Sequence, residues 1–172
     1  MFNHIQSLFH KILIFLIIII ISCLNAASPD PVFSKNGMVV SLNKHASQAG
    51  IDILKKGGNA IDAAIASQLV LNLVEPHSSG IGGGGFLIYY DANLKKSFFY
   101  DGREKAPQHF SSEVFLDDSG NPKEFYDVLD GGLTVGVPSL LKLLKKVHDE
   151  HGKLKWFELF VPAIDIAENG FE

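Results

Sequence analysis

Threonine occurs once in the 172 residues, as Thr134, and cysteine once, as Cys23. A single cysteine closes no internal disulfide and supplies neither a Cys-based zinc site nor a CxxC redox pair. There is no G-x-S-x-G motif, Cys23 lies in an apolar N-terminal segment, and Thr134 stands between Leu133 and Val135. The remainder of the chain therefore offers no nucleophile in a recognisable context. Basic residues are also few, 15 Lys plus Arg against 19 Asp plus Glu for a net charge of −4. That balance argues against an electrostatic nucleic-acid binder. No apolar run approaches the roughly 20 residues that span a bilayer as a helix.

The longest apolar run is Ile12 to Ile21, and Lys11 is the only charged residue before Asp30. A short polar start with His4, His10 and Lys11, an apolar core, and small residues at Ala26, Ala27 and Ser28 have the layout of a secretory signal peptide over residues 1–26. Two processing outcomes are open. Cleavage after Ala26 gives a soluble exported product, periplasmic or extracellular. The stretch Ile20-Ile21-Ser22-Cys23 also resembles a lipobox, in which case the product is anchored to a membrane through an acylated Cys23. Membrane attachment is expected only through Cys23 or through a leader that is kept.

Residues 27–172 read as one domain or part of one. Met38 to Leu42 is a short apolar strand by pattern, and His45 to Lys56 a helix ended by Gly57 and Gly58. Asn59 is placed to cap the next helix, Ala60 to Val74, which is apolar on nearly every face and should be buried on most sides. After Pro76 the run Gly82 to Gly85 interrupts regular structure, and Phe86–Tyr90 and Ser97–Tyr100 form a β-hairpin pattern. Asp117 to Pro122 reads as a surface turn. Pro138 suits the first turn of a helix whose inner face is Leu140, Leu141, Leu144 and Val147, and a last helix runs from Trp156 towards Asn169 and Gly170. The order of elements is mixed α/β (α+β) with antiparallel pairing.

Gly80, Gly82 and Gly85 match GxGxxG, but the run follows a helix and opens a strand, the reverse of a dinucleotide site. The glycines instead suit positive φ or close approach of a ligand or another strand. His148 and His151, three apart on a helix, lack a third ligand at useful spacing and are expected on a solvated face near the helix C-terminus. His45, His77 and His109 are isolated. Asp101-Gly-Arg103-Glu104 follows the second hairpin strand, where a rigid element hands over to a loop. The planar fork of Arg103 matches a carboxylate in two parallel hydrogen bonds, so it can anchor one from a ligand; the alternative is an ion pair with Asp101, Glu104 or a distant acid.

Several blocks taken together resemble the gamma-glutamyltranspeptidase (glutathione hydrolase) family. They are Gly50-Ile-Asp-Ile-Leu-Lys-Lys-Gly-Gly-Asn-Ala-Ile-Asp-Ala-Ala64, Pro76-His-Ser-Ser-Gly-Ile-Gly-Gly-Gly-Gly-Phe86, Asp101-Gly-Arg-Glu-Lys-Ala-Pro107, Phe115 to Pro122, Gly136-Val-Pro138 and Pro162 to Phe171. The resemblance implies an N-terminal nucleophile hydrolase fold of αββα layers, incomplete over these residues, made as a precursor that cuts itself into a large and a small subunit. The new N-terminal Thr of the small subunit attacks the γ-glutamyl amide and forms an acyl-enzyme, which passes the glutamyl group to water, amino acids or peptides. No cofactor and no metal are implied.

The substrates implied are glutathione and other γ-glutamyl compounds, and the partners are the remainder of the large subunit and the small subunit. By the same resemblance Arg103 grips the glutamate α-carboxylate as the substrate-binding residue. The family's Thr-Thr-His processing motif is absent from the sequence and Thr134 has none of its context. No catalytic residue is therefore expected in residues 1–172, and the polypeptide alone is expected to be inactive. Two alternatives remain at this stage: a cephalosporin-type acylase of the same fold, and a non-catalytic exported remnant or lipoprotein module that binds small carboxylates.

Overall fold

The computed structural model describes residues 6–7, 10–15 and 31–172, and divides into two units, 1–35 and 36–172. In the first unit residues 10–15 are helical, and His10 Nδ1 lies 2.8 Å from the carbonyl oxygen of Gln6. Cys23, Ala26 and most of the apolar run fall outside the described residues. No helix among the described residues is long and apolar enough to cross a membrane.

The first two helices of the second unit, α1 (Lys44–Lys55) and α2 (Ala60–Val74), pack against each other. Asn43 caps α1 by accepting from the His45 N–H, and Gly57 takes φ +91° to turn the chain out of it. Asn59 and Asp62 form a reciprocal capping box at the start of α2. Ile61, Ala63, Ile65, Ala66, Leu69 and Val70 are buried, as expected of a helix apolar on most sides. A single turn, α3 (Pro76–Ser79), precedes the glycines.

The hairpin is β1 (Gly85–Asp91) and β2 (Lys96–Gly102), paired antiparallel with Gly85 opposite Gly102 and Asp91 opposite Lys96. Its turn is held by Asp91 Oδ1, which accepts from the N–H groups of Asn93 and Leu94, and Lys95 takes φ +51°. The period of two sorts the strands cleanly. Leu87, Tyr89, Phe98 and Tyr100 face inward onto helix α5 (Leu140–His151) and the core around Ile53, Ile65 and Leu159. Phe86, Ile88, Tyr90 and Phe99 face outward and are exposed, with the rings of Phe86 and Phe99 stacked at 5.8 Å. Apolar side chains on both faces are the mark of a sheet that is covered on both in its finished fold. A short helix α4 (Phe125–Leu129) lies in the loop-rich stretch between the hairpin and α5, and α6 (Val161–Asn169) ends the chain, with Gly170 at φ +79° as its stop.

Four local expectations differ from the structure. Met38 to Leu42 forms no strand, because no neighbouring strand among the described residues pairs with it, and Val40 and Leu42 are exposed. Pro138 lies before α5 and not in its first turn; Ser139 is the cap residue. On α5 the buried set is Leu140, Leu143, Leu144 and Val147, so Leu143 takes the place expected for Leu141. The reason is Gly102: a Cβ there would lie 2.6 Å from Leu143 Cβ, and its absence gives Leu143 a seat against the strand. The last helix is broken into a 3-10 turn, Trp156–Leu159, and α6, which has Pro162 in its first turn.

His148 and His151 also depart from the solvated face expected of them. Asp62, fully buried, accepts from the N–H groups of Asn59, Lys153 and Leu154 at 3.0 to 3.2 Å, which folds the chain after α5 back onto α2. That folded-back loop covers His148, whose Nε2 donates to the Leu154 carbonyl at 2.8 Å. His151 packs between Tyr89 and Phe98 at ring distances of 4.8 and 4.9 Å. The Tyr100 hydroxyl donates to Glu150 Oε2 at 2.6 Å, and His151 Nε2 stands 2.5 Å from the Tyr100 hydroxyl oxygen, so with the hydroxyl proton already given to Glu150 that nitrogen donates. Burial and the Glu150 hydrogen bond push the Tyr100 phenol up to about 12. The two imidazoles are thus engaged with different groups and do not form a metal pair.

Candidate substrate-carboxylate site

Three backbone segments converge on the end of β2. The Gly83 carbonyl accepts from the N–H groups of Ser139 and Leu140 at 3.1 and 3.0 Å, tying the glycine run to the start of α5. Ser139 Oγ donates to the Gly102 carbonyl, and the Val137 N–H donates to the Lys105 carbonyl at 2.9 Å. Gly84 lies against the far side of the same strand end, where an added Cβ would come within 2.8 Å of Glu104 Oε2. The glycine run therefore serves the close approach of one chain segment to another. None of its members has a positive φ, so that half of the sequence expectation does not apply here.

The segment Asp101 to Lys105 is held from these directions. Asp101 Oδ1 accepts from the Arg103 N–H at 2.9 Å, an Asx turn that fixes the main chain as it leaves the strand. Arg103, the single arginine of the sequence, projects from that turn with 71% of its side chain exposed. Its Nε lies 3.3 Å from Glu104 Oε2, the local ion pair that the sequence left open. One exposed pair of this kind holds a guanidinium weakly, and the Nη edge of the fork stays available to a carboxylate.

Arg103 lines a cleft of about 390 Å³ together with Asp101, Lys105, Ser139, Lys142 and Lys146. Its apolar floor includes Phe99, Val137 and Leu143. The lysines of α5, Lys142, Lys145 and Lys146, are exposed. What the pattern did not reveal is that Lys142 and Lys146, one turn apart, line the same cleft as Arg103. The available signal was the pairing of Gly102 with a buried Leu143, which brings that side of α5 to the strand end. Thr134, by contrast, lies in a mid-chain 3-10 turn, Gly132–Thr134, and lines a separate small cavity beside Phe110 and Phe115.

Residues 46–172 match the family profile of gamma-glutamyltranspeptidase. The chain belongs to that family. It is 46% identical over 137 residues to the glutathione hydrolase proenzyme of Bacillus subtilis strain 168, a match that covers 80% of this chain and 23% of that protein. Among solved structures it resembles Helicobacter pylori gamma-glutamyltranspeptidase, with a TM-score of 0.77 and 38% identity over 83% of this chain and 40% of that one. It also resembles the cephalosporin acylase of Bacillus halodurans, with a TM-score of 0.70 and 34% identity over 85% of this chain and 27% of that one. The chain spans about a quarter of the length of the curated relatives it matches. Its mixed helix and sheet are one part of the N-terminal nucleophile hydrolase fold, as the family resemblance implied.

Proposed function

We infer that these residues are the N-terminal part of the large subunit of an exported γ-glutamyltranspeptidase, a glutathione hydrolase in which Arg103 receives the substrate's α-carboxylate. The observation that carries the reading is Arg103 itself: main chain pinned by Asp101, guanidinium open to a cleft, within the Asp-x-Arg-Glu block. The reaction splits the γ-glutamyl amide by acyl transfer to an N-terminal threonine, whose own amine takes the hydroxyl proton. The acyl-enzyme then yields the glutamyl group to water, giving hydrolysis, or to an amine, giving transfer. The contribution of these residues is to place the γ-carbonyl by gripping the other end of the glutamyl group. The threonine is supplied by the small subunit, and the partners are that subunit and the rest of the large one.

The 172-residue polypeptide, purified free of any longer product, is expected to release no glutamate from glutathione. Turnover by that preparation would place a nucleophile within these residues and overturn the reading. The product of the whole gene is expected to cut itself and to hydrolyse γ-glutamyl amides. Residues 1–26 act as the export signal, and terminal mass analysis of the exported product is expected to find Ala27 first. A lipid-bearing Cys23 would assign the lipoprotein route, and an intact Met1 would remove the cleaved-leader reading.

The similarity to the cephalosporin acylase supports a second reading, acyl transfer from a glutaryl amide. A glutaryl group keeps the carboxylate that Arg103 accepts and lacks only the α-amine. Arg103 alone therefore does not separate the two, and relative turnover of matched γ-glutamyl and glutaryl amides does.

A further inference from the structure

The peptide unit between Gly102 and Arg103 is held at both ends by side chains. Asp101 Oδ1 accepts from its N–H at 2.9 Å, and Ser139 Oγ donates to its carbonyl oxygen at 2.5 Å. A peptide unit is planar, so fixing its oxygen and its N–H fixes the plane from which Arg103 leaves the strand. Packing creates the need for such a clamp. Gly102 is buried and has no room for a Cβ, which would lie 2.6 Å from Leu143 Cβ. A glycine at that position leaves the two dihedrals ahead of Arg103 freer than another residue would.

The Ser139 hydroxyl makes this bond in place of its ordinary one. Ser139 is the cap residue of α5, where a serine oxygen commonly accepts from an N–H of the first turn, yet its side chain makes no capping bond. The Gly83 carbonyl serves the helix start instead, accepting from the Ser139 and Leu140 N–H groups at 3.1 and 3.0 Å. Those main-chain bonds also fix where the hydroxyl stands. Every partner in the clamp lies between Gly83 and Leu143, so it is complete within these residues.

We propose that Ser139 is a positioning residue for substrate recognition: its hydroxyl, with the Asp101 carboxylate, locks the Gly102–Arg103 peptide unit and so holds the guanidinium ready for the α-carboxylate. The proposal rests on the role of Arg103 given above and assigns Ser139 no contact with substrate.

The test is a double-mutant cycle in the self-processed product of the whole gene, with Ser139→Ala, Arg103→Gln and the double variant, and rates taken per processed enzyme. Ser139→Ala removes one hydrogen bond and no charge, so kcat/KM for γ-glutamyl p-nitroanilide should fall about three- to tenfold. In the Arg103→Gln background the same change should cost less than about twofold, because the locked plane then aims no guanidinium. Turnover of 4-aminobutyryl p-nitroanilide, which lacks the α-carboxylate, should be the same with and without the hydroxyl. Because that hydroxyl caps no helix N–H, circular dichroism of Ser139→Ala should match the wild type.

An equal loss in both backgrounds, or on both substrates, would make Ser139 a general support of the strand end and overturn its positioning role. So would an unchanged kcat/KM in Ser139→Ala while Arg103→Gln is impaired, a result that leaves Arg103 standing as the carboxylate anchor. If Arg103→Gln loses nothing on γ-glutamyl p-nitroanilide, the Arg103 reading falls first and the role of Ser139 falls with it.

Discussion

Replacing Asp62 with alanine should cost about 3–5 kcal/mol of stability, enough to unfold most of a marginal domain at room temperature. The side chain is fully buried, and its two oxygens accept from three backbone N–H groups on two distant segments. Asn59 N–H belongs to the cap of α2; Lys153 and Leu154 N–H belong to the turn after α5. Alanine leaves all three donors facing the space that the carboxylate filled. Each such orphan costs roughly 1–3 kcal/mol. Asp62→Asn keeps one acceptor oxygen and turns an NH2 group towards a donor, so a smaller loss of about 1–3 kcal/mol is expected. Urea unfolding followed by circular dichroism measures both. A loss below about 1 kcal/mol for Asp62→Ala would show that the three N–H groups find other partners, and that the α2–α5 connection does not depend on this carboxylate.

The same residue shows where the sequence was legible and where it was not. Asn59 at a helix start with Asp62 three residues on is a local signal, and the cap it announces is present. That the Asp62 carboxylate also receives a loop some 90 residues away has no local trace. His148 and His151 were misread for a like reason: their spacing places them on α5, but His148 is covered by residues 152–156 folding over it and His151 by Tyr89 and Phe98 of the hairpin. The hairpin was readable from aromatic and β-branched alternation, with both ends extended by a residue or two in the structure. Met38 to Leu42 had an equally good strand pattern, yet a ladder needs a neighbour, and pattern alone does not supply one. Arg103 could be singled out by its chemistry and by its place after a strand. The cleft it lines could not, because that cleft depends on Leu143 docking on Gly102, two positions about 40 residues apart.

Arg103→Gln, in the self-processed product of the whole gene, should lower kcat/KM for γ-glutamyl p-nitroanilide by roughly 10- to 150-fold, the worth of one charge-assisted hydrogen-bonded contact of about 1.5–3 kcal/mol. The side chain is largely exposed and its main chain is anchored through Asp101, so loss of charge at the fork should leave the fold unchanged. Arg103→Lys should recover part of the loss, since an ammonium restores the charge but not the paired donors that match a carboxylate edge. A structural role would reduce turnover of every substrate alike. A recognition role predicts a double cycle: 4-aminobutyryl p-nitroanilide, which is the same acyl group without the α-carboxylate, should be a poor substrate of the wild type and should lose nothing further in the variant. Equal losses on the two substrates would mean that Arg103 supports the cleft without touching the ligand. No loss on either would remove Arg103 from substrate recognition altogether and leave the ion pair with Glu104 as its only role. The two-substrate comparison separates these outcomes because the guanidinium can discriminate between the substrates only through the one group that distinguishes them.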